Sequence, residues 1–140
     1  IAMIQIIAGE KGNGKTKHLL EKANAEIKSV NGNIVYLDKN AKHMYELNNR
    51  VRLIDVSEYK IKSADEFIGF MKGIISQDND LEQLYLDSFL KVANLEDADI
   101  TDTLNEIESM SDKFHVNIVL SISVDASRLP DNMKDKVISQ

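Results

Sequence analysis

Eight consecutive residues, Gly9, Glu10, Lys11, Gly12, Asn13, Gly14, Lys15 and Thr16, combine types and spacing suited to holding phosphate. They fit the pattern G-x-x-x-x-G-K-[ST]. Glycines there let the main chain approach an anion closely and adopt backbone angles closed to other residues. Successive N–H groups then converge on one concavity at a helix N-terminus, where the helix dipole also favours negative charge. A nucleoside triphosphate with Mg²⁺ is the expected ligand, its phosphates cradled by residues 9–16. Lys15 would reach the β- and γ-phosphates and so act in catalysis, and the Thr16 hydroxyl would ligate the metal. The plain alternative is a glycine-rich turn that binds nothing.

That chemistry needs a strand before the loop and a helix after it. Ile4 to Ala8 is an apolar, β-branched run that reads as a buried strand, and Leu19, Leu20, Ala23 and Ile27 recur at helical spacing. It also needs a second carboxylate at a strand end, to fix the metal's water shell. Three apolar runs end in aspartate: Asp38, Asp55 and Asp87. Asp55 would end an edge strand, too far from the loop. Asp38 ends the strand after the loop helix, which in this topology does not neighbour the loop strand. Asp87 follows two further crossovers and is assigned the metal and a catalytic role. A cap for the following helix is the ordinary explanation of any single aspartate so placed.

Strand and helix signals alternate along the rest of the chain, which argues for a parallel sheet covered by helices. Asn31, Gly32 and Asn33 stop the loop helix, and residues 34–37 read as a buried strand. A short helix is expected over 41–47 and a strand over 51–56. Ser63 and Glu66 open a helix as a capping box, with Phe67, Phe70, Met71 and Ile74 as its apolar stripe. Residues 84–87 could be a strand, yet Leu81, Leu84, Tyr85, Ser88 and Val92 also fit a helical period. Without the strand the sheet lacks its central member. Leu104, Ile107 and Met110 mark a further helix with Thr103 and Glu106 at capping-box spacing, residues 116–123 a strand, and Pro130 the start of a final helix to about Ile138.

In element order the chain resembles the RecA-like branch of the P-loop ATPases over nearly its whole length. The residues that carry the likeness are the 9–16 loop, the strand ending Tyr36-Leu37-Asp38, the edge run 52–55, Leu84 to Ser88, and a last strand ending in Ser121 and Ser123. The resemblance implies an α/β, three-layer, parallel-sheet P-loop NTPase fold with RecA-like strand order. The loop strand would neighbour 117–123, then 84–87, then 34–38, with 51–56 at the edge. It implies a magnesium aspartate at Asp87 and a polar sensor at Ser123. The branch's hydrolytic glutamate would follow Asp87 or Asp38, where this chain has Ser88 and Lys39-Asn40. Glu10, Asp38 or Glu46 would have to substitute. The chain also resembles small clostridial proteins named as twitching-motility, PilT-like ATPases, although the acidic and histidine boxes of pilus-retraction ATPases are not in it.

Size and composition fit one nucleotide-binding domain over 1–140, with 43% hydrophobic residues. There is no cysteine, and His18, His43 and His115 lack ligand spacing, so a zinc site is not expected. No apolar run approaches the roughly 20 residues of a membrane span, and no basic segment of the signal-peptide kind leads the chain, so a cytoplasmic location is expected. The net charge of −6 is uneven: residues 78–112 carry eleven Asp/Glu against one basic residue, Lys91. That segment should repel nucleic acid. It is either a solvated surface or a docking face for a basic protein partner.

These readings lead to an ATP-binding protein with weak or partner-dependent hydrolysis. ATP is expected over GTP because the Asn-Lys-x-Asp signature typical of GTPases is absent. Arg128 is either a finger acting on a neighbouring subunit or a plain surface arginine. The alternatives are a small-molecule kinase with Asp38 as acceptor base, and a non-catalytic module whose nucleotide gates a protein contact.

Overall fold

The computed structural model describes residues 3–12 and 14–139. Asn13, expected among the phosphate contacts, lies outside the described residues. Six strands form one sheet: β1 (Ile4–Ala8), β2 (Asn33–Asp38), β3 (Val51–Asp55), β4 (Leu81–Leu86), β5 (Asn117–Ile122) and β6 (Val137–Ser139). Their order is β3-β2-β4-β5-β1-β6 and every pairing is parallel. Helix α1 (Lys15–Glu26) covers one face; α2 (Ala64–Gln77) and α4 (Thr101–Phe114) cover the other, with a short α3 (Phe89–Val92) after β4.

Both faces of the sheet are buried, so its strands read as continuous apolar runs. Alternation then sorts each strand between two cores. Ile7, Ile34, Tyr36, Tyr85 and Val119 pack with Leu19, Leu20 and Ala23 of α1. Ile6, Val35, Leu37, Leu84, Leu86 and Leu120 pack with Phe67 and Met71 of α2 and Leu104 and Ile107 of α4. Gly32 lets the turn into β2 press on the start of β4: an added Cβ would meet the Asp80 carbonyl oxygen at 2.0 Å. The Ser63 capping box forms, with Glu66 N–H donating to Ser63 Oγ at 3.1 Å and Lys62 N–H to Glu66 Oε1 at 2.7 Å.

Residues 81–86 are a strand, and the five strands expected from the sequence stand in the expected order. Three local expectations fail. Only Met44–Glu46 turns helically within 41–47, as a single 3₁₀ turn. Asn40 draws off the Lys42 N–H at 2.9 Å, and the Asn24 side chain holds the Glu46 carbonyl and the Asn48 N–H. Side chains of this type compete with the helix ladder. Helix α4 starts at Thr101, not Thr103, because Asp99 accepts the Thr101 N–H at 3.0 Å. The helix expected after Pro130 is instead a 3₁₀ segment, Asp131–Lys136, followed by β6. There the open edge of β1 pairs with β-branched Val137, and tertiary context overrides local propensity. No helix among the described residues is long and apolar enough to cross a membrane.

Candidate functional site

The site is built where α1 begins, over the carboxyl ends of β2, β4 and β5. Gly12 (φ 87°) and Gly14 (φ 73°) lie in the left-handed region that favours glycine, and Gly14 leads straight into α1. The Gly9 N–H is tied to the Val124 carbonyl at 2.8 Å, which joins the loop to the chain leaving β5. Lys15 is only 9% exposed, and its Nζ donates to the Glu10 carbonyl at 2.8 Å across the loop. Burial pulls its pKa below the usual lysine value, against the opposing pull of Asp87 and Glu10.

Asp87 is 1% exposed and receives three hydroxyl donors. Thr16 Oγ1 donates to its Oδ1 at 3.1 Å, Ser121 Oγ to the same oxygen at 2.9 Å, and Tyr36 OH to Oδ2 at 2.7 Å. The strand period explains why these groups meet. Tyr36 and Tyr85 face α1, so Asp38 and Asp87, two residues on, face it too, as does Ser121 two residues after Val119. The Ser121 hydroxyl also accepts the Ser88 N–H at 2.9 Å. Burial first, then the Asp87 carboxylate, push the Tyr36 phenol far above its ordinary pKa, so it stays a hydrogen-bond donor.

Asp38 is likewise 1% exposed. Its Oδ1 accepts the Lys39 N–H at 2.7 Å, while Oδ2 is buried with no partner among the described residues. Burial, with Asp87 second, raises its pKa to about 6. Asp38 therefore stands beside Asp87, and both lie beneath the open cleft and not among the residues that line it. That cleft, of about 980 Å³, opens from Lys11, Gly12 and Thr16 past Lys39 and Ser88. Its lining also includes Glu96, Asp97 and Asp99 of the segment after α3, and Arg128.

Thus the structure brings together the described loop residues with Lys15, Thr16 and Asp87, and Asp55 is left out at the sheet edge. Ser123, the expected sensor, lines the cleft, whereas Ser121 is the serine bonded to Asp87. Arg128 shares the cleft of its own chain. Glu46 is turned to His43. Sequence reasoning missed Tyr36, although a tyrosine inside a buried strand must find a partner for its hydroxyl. Several acidic residues of 78–112 have separate local roles. Glu106 and Glu108 pair with Lys72 and Lys136, Glu82 holds the Gly32 N–H, Asp87 is in the site, and Glu96, Asp97 and Asp99 line the cleft.

The oxygen donors here, a hydroxyl and carboxylates, suit a hard cation such as Mg²⁺ and not zinc. Among the described residues no group of three or more His, Cys, Asp or Glu is arranged for a metal, so phosphate and water oxygens would complete the shell.

No protein-family model and no curated protein matches the sequence. Among solved structures the chain is similar to the flagellar accessory protein FlaH from Methanocaldococcus jannaschii, with a TM-score of 0.57 and 14% identity over 93% of this chain. It spans 64% of the length of FlaH. PCH-2 of C. elegans gives a TM-score of 0.47 and 12% identity, over 96% of this chain and 32% of PCH-2. The fold is that of the P-loop NTPases, in three α/β layers with RecA-like strand order.

Proposed function

We propose that this P-loop protein binds ATP with Mg²⁺ and hydrolyses it slowly by itself, or faster with a partner. One observation carries the reading: the Thr16 hydroxyl, next to the phosphate loop, meets Asp87 at 3.1 Å across 71 residues of chain. Loop N–H groups and Lys15 would hold the phosphates, while Thr16 and Asp87 would hold the cation. Bound Mg²⁺ would neutralise charge on the phosphate oxygens. Ser121 and Tyr36 fix the orientation of Asp87, and Arg128 is on hand in the same cleft for a phosphate. The residues that directly follow Asp38 and Asp87 and reach the cleft are Lys39 and Ser88, so neither of these two positions offers a carboxylate to orient an attacking water. The likeness to PilT-like proteins adds only the ATPase class.

A nucleotide-gated module is the second reading. It is favoured by Glu96, Asp97 and Asp99, which line the same cleft as Lys11, Gly12 and Thr16 and would meet a basic partner there. In the kinase reading an acceptor hydroxyl would have to reach Asp38, which is 1% exposed. Calorimetric titration with ATP, with and without Mg²⁺, followed by product analysis, tests the proposal. Saturable Mg²⁺-enhanced binding with slow release of phosphate is expected. No nucleotide binding overturns it.

A further inference from the structure

We propose that Asp38 and Asp87 together form a two-carboxylate cation site, so that the protein takes up Mg²⁺ or Mn²⁺ before any nucleotide arrives. This rests on the reading of Thr16 and Asp87 as the metal side of the nucleotide site, and adds Asp38 as a ligand from a second strand.

Register sets the two aspartates side by side. Leu37 of β2 is opposite Leu86 of β4, and the Asp87 N–H donates to the Leu37 carbonyl at 2.9 Å. Continuing that ladder places Asp38 beside Asp87, on strands about 4.8 Å apart. Both side chains face α1, as Tyr36 and Tyr85 do two residues earlier. A third aspartate, Asp55, is in register with Asp38 on β3, but its Oδ1 is taken by the Ser57 N–H at 3.0 Å and hydroxyl at 2.6 Å. Asp38 and Asp87 are the pair left facing the start of α1.

Their surroundings are unequal. Asp87 has three hydroxyl donors, whereas Asp38 has one backbone N–H and a buried Oδ2 without a partner. An uncompensated buried charge costs several kcal/mol. Lys15, tied to the Glu10 carbonyl, brings one positive charge against two carboxylates. A small divalent cation between the strands satisfies the orphaned oxygen and removes the excess charge. Mg²⁺ is commonly held by one or two carboxylates together with water and phosphate, and this oxygen-only set matches it. A metal-loaded site would then receive the triphosphate without opposing it with two bare carboxylates.

The experiment titrates the nucleotide-free protein with MgCl₂ by calorimetry and with Mn²⁺ by electron paramagnetic resonance, against NaCl of equal ionic strength. The wild type should bind one ion saturably. Asp38→Asn should weaken that binding by roughly tenfold to a hundredfold, yet bind ATP in EDTA as the wild type does. Asp38→Ala repeats the test should the carboxamide fail to fold. A wild type that takes up no cation without nucleotide, or an Asp38 variant with unchanged cation affinity, overturns the proposal. Loss of ATP binding by the wild type in EDTA and in Mg²⁺ alike would instead sink the nucleotide reading beneath it.

Discussion

The Tyr36 hydroxyl donates to Asp87 Oδ2 at 2.7 Å, from a ring fully shielded from solvent and stacked on Tyr85 with centroids 6.0 Å apart. β2 thereby reaches into the site as a positioning strand. Tyr36 and Ser121 hold the carboxylate from two sides, leaving its remaining lone pairs turned toward Thr16.

Tyr36→Phe keeps the stack and deletes the donor. A hydrogen bond to a charged group contributes about 1.5–3 kcal/mol, so the midpoint of thermal unfolding should fall. Outer-shell changes of this kind cost about tenfold or more in metal affinity. Mg²⁺-dependent ATP affinity should drop by that order, while affinity in EDTA stays level. Equal losses in both buffers would reduce Tyr36 to a packing residue.

Lys15→Ala tests the phosphate cradle itself. ATP with Mg²⁺ at about 100 times its dissociation constant stabilises a binding fold by roughly 2.7 kcal/mol, a rise of several degrees in melting temperature for a domain of this size. The variant should lose most of that rise. Since Glu10 is exposed, water can take the bond that the Lys15 ammonium gives its carbonyl, and the nucleotide-free variant should still fold. A full shift in the variant would make the loop decorative.

The strand–loop–helix around residues 9–16, the strand that leads to Asp87 and the order of five strands were legible because each depends on long-range regularities. These are a fixed motif, a right-handed crossover rule, and apolar runs long enough to be strands. What stayed hidden depends on which face a residue takes. In a strand buried on both sides, Tyr36 and Leu37 look alike to a hydrophobicity pattern, and so do Ser121 and Ser123 near a strand end. Only the register shows that Tyr36 and Ser121 share the α1 face with Asp87. The misread ends of α4 and of the chain have a different cause. Asp99 accepts the Thr101 N–H and the helix begins there, ahead of Thr103, and the bare edge of β1 recruited Val137.

Stability in EDTA should carry the signature of Asp38. Its pKa is about 6 in the fold, against an ordinary 3.8. Between about pH 4 and 6 the folded state therefore binds more protons than the unfolded one, and this group's contribution to stability falls as pH rises through that window. Asp99 and Asp125, held below the usual carboxylate range by hydrogen bonds from Thr101 and Ser127, act in the opposite sense at lower pH. Urea unfolding of wild type and Asp38→Asn across pH 4 to 7 isolates the effect as a difference. The variant should gain on the wild type as pH rises; a gap that does not change with pH would leave Asp38 unperturbed.

Turnover separates the remaining functional classes. Phosphoryl transfer depends on positioning and electrostatics, and beside the proposed cradle and cation ligands Lys39 and Ser88 occupy the cleft-facing positions directly after Asp38 and Asp87. The isolated protein should hydrolyse ATP well below about 1 s⁻¹, the lower end of ordinary enzymes. Lys39→Glu places a carboxylate on the wall of the cleft that Thr16 also lines, at the cost of a positive charge that favours the ionised form of Asp38. It should raise turnover by about tenfold or more, toward the range expected of a positioned base. Brisk hydrolysis by the wild type would mean that an existing group orients the water, with Glu10 the first to replace. Phosphate recovered on an added small molecule would favour the kinase reading. Tight binding without turnover, in the wild type and in Lys39→Glu alike, would favour the nucleotide-gated module and direct attention to the carboxylates at Glu96, Asp97 and Asp99.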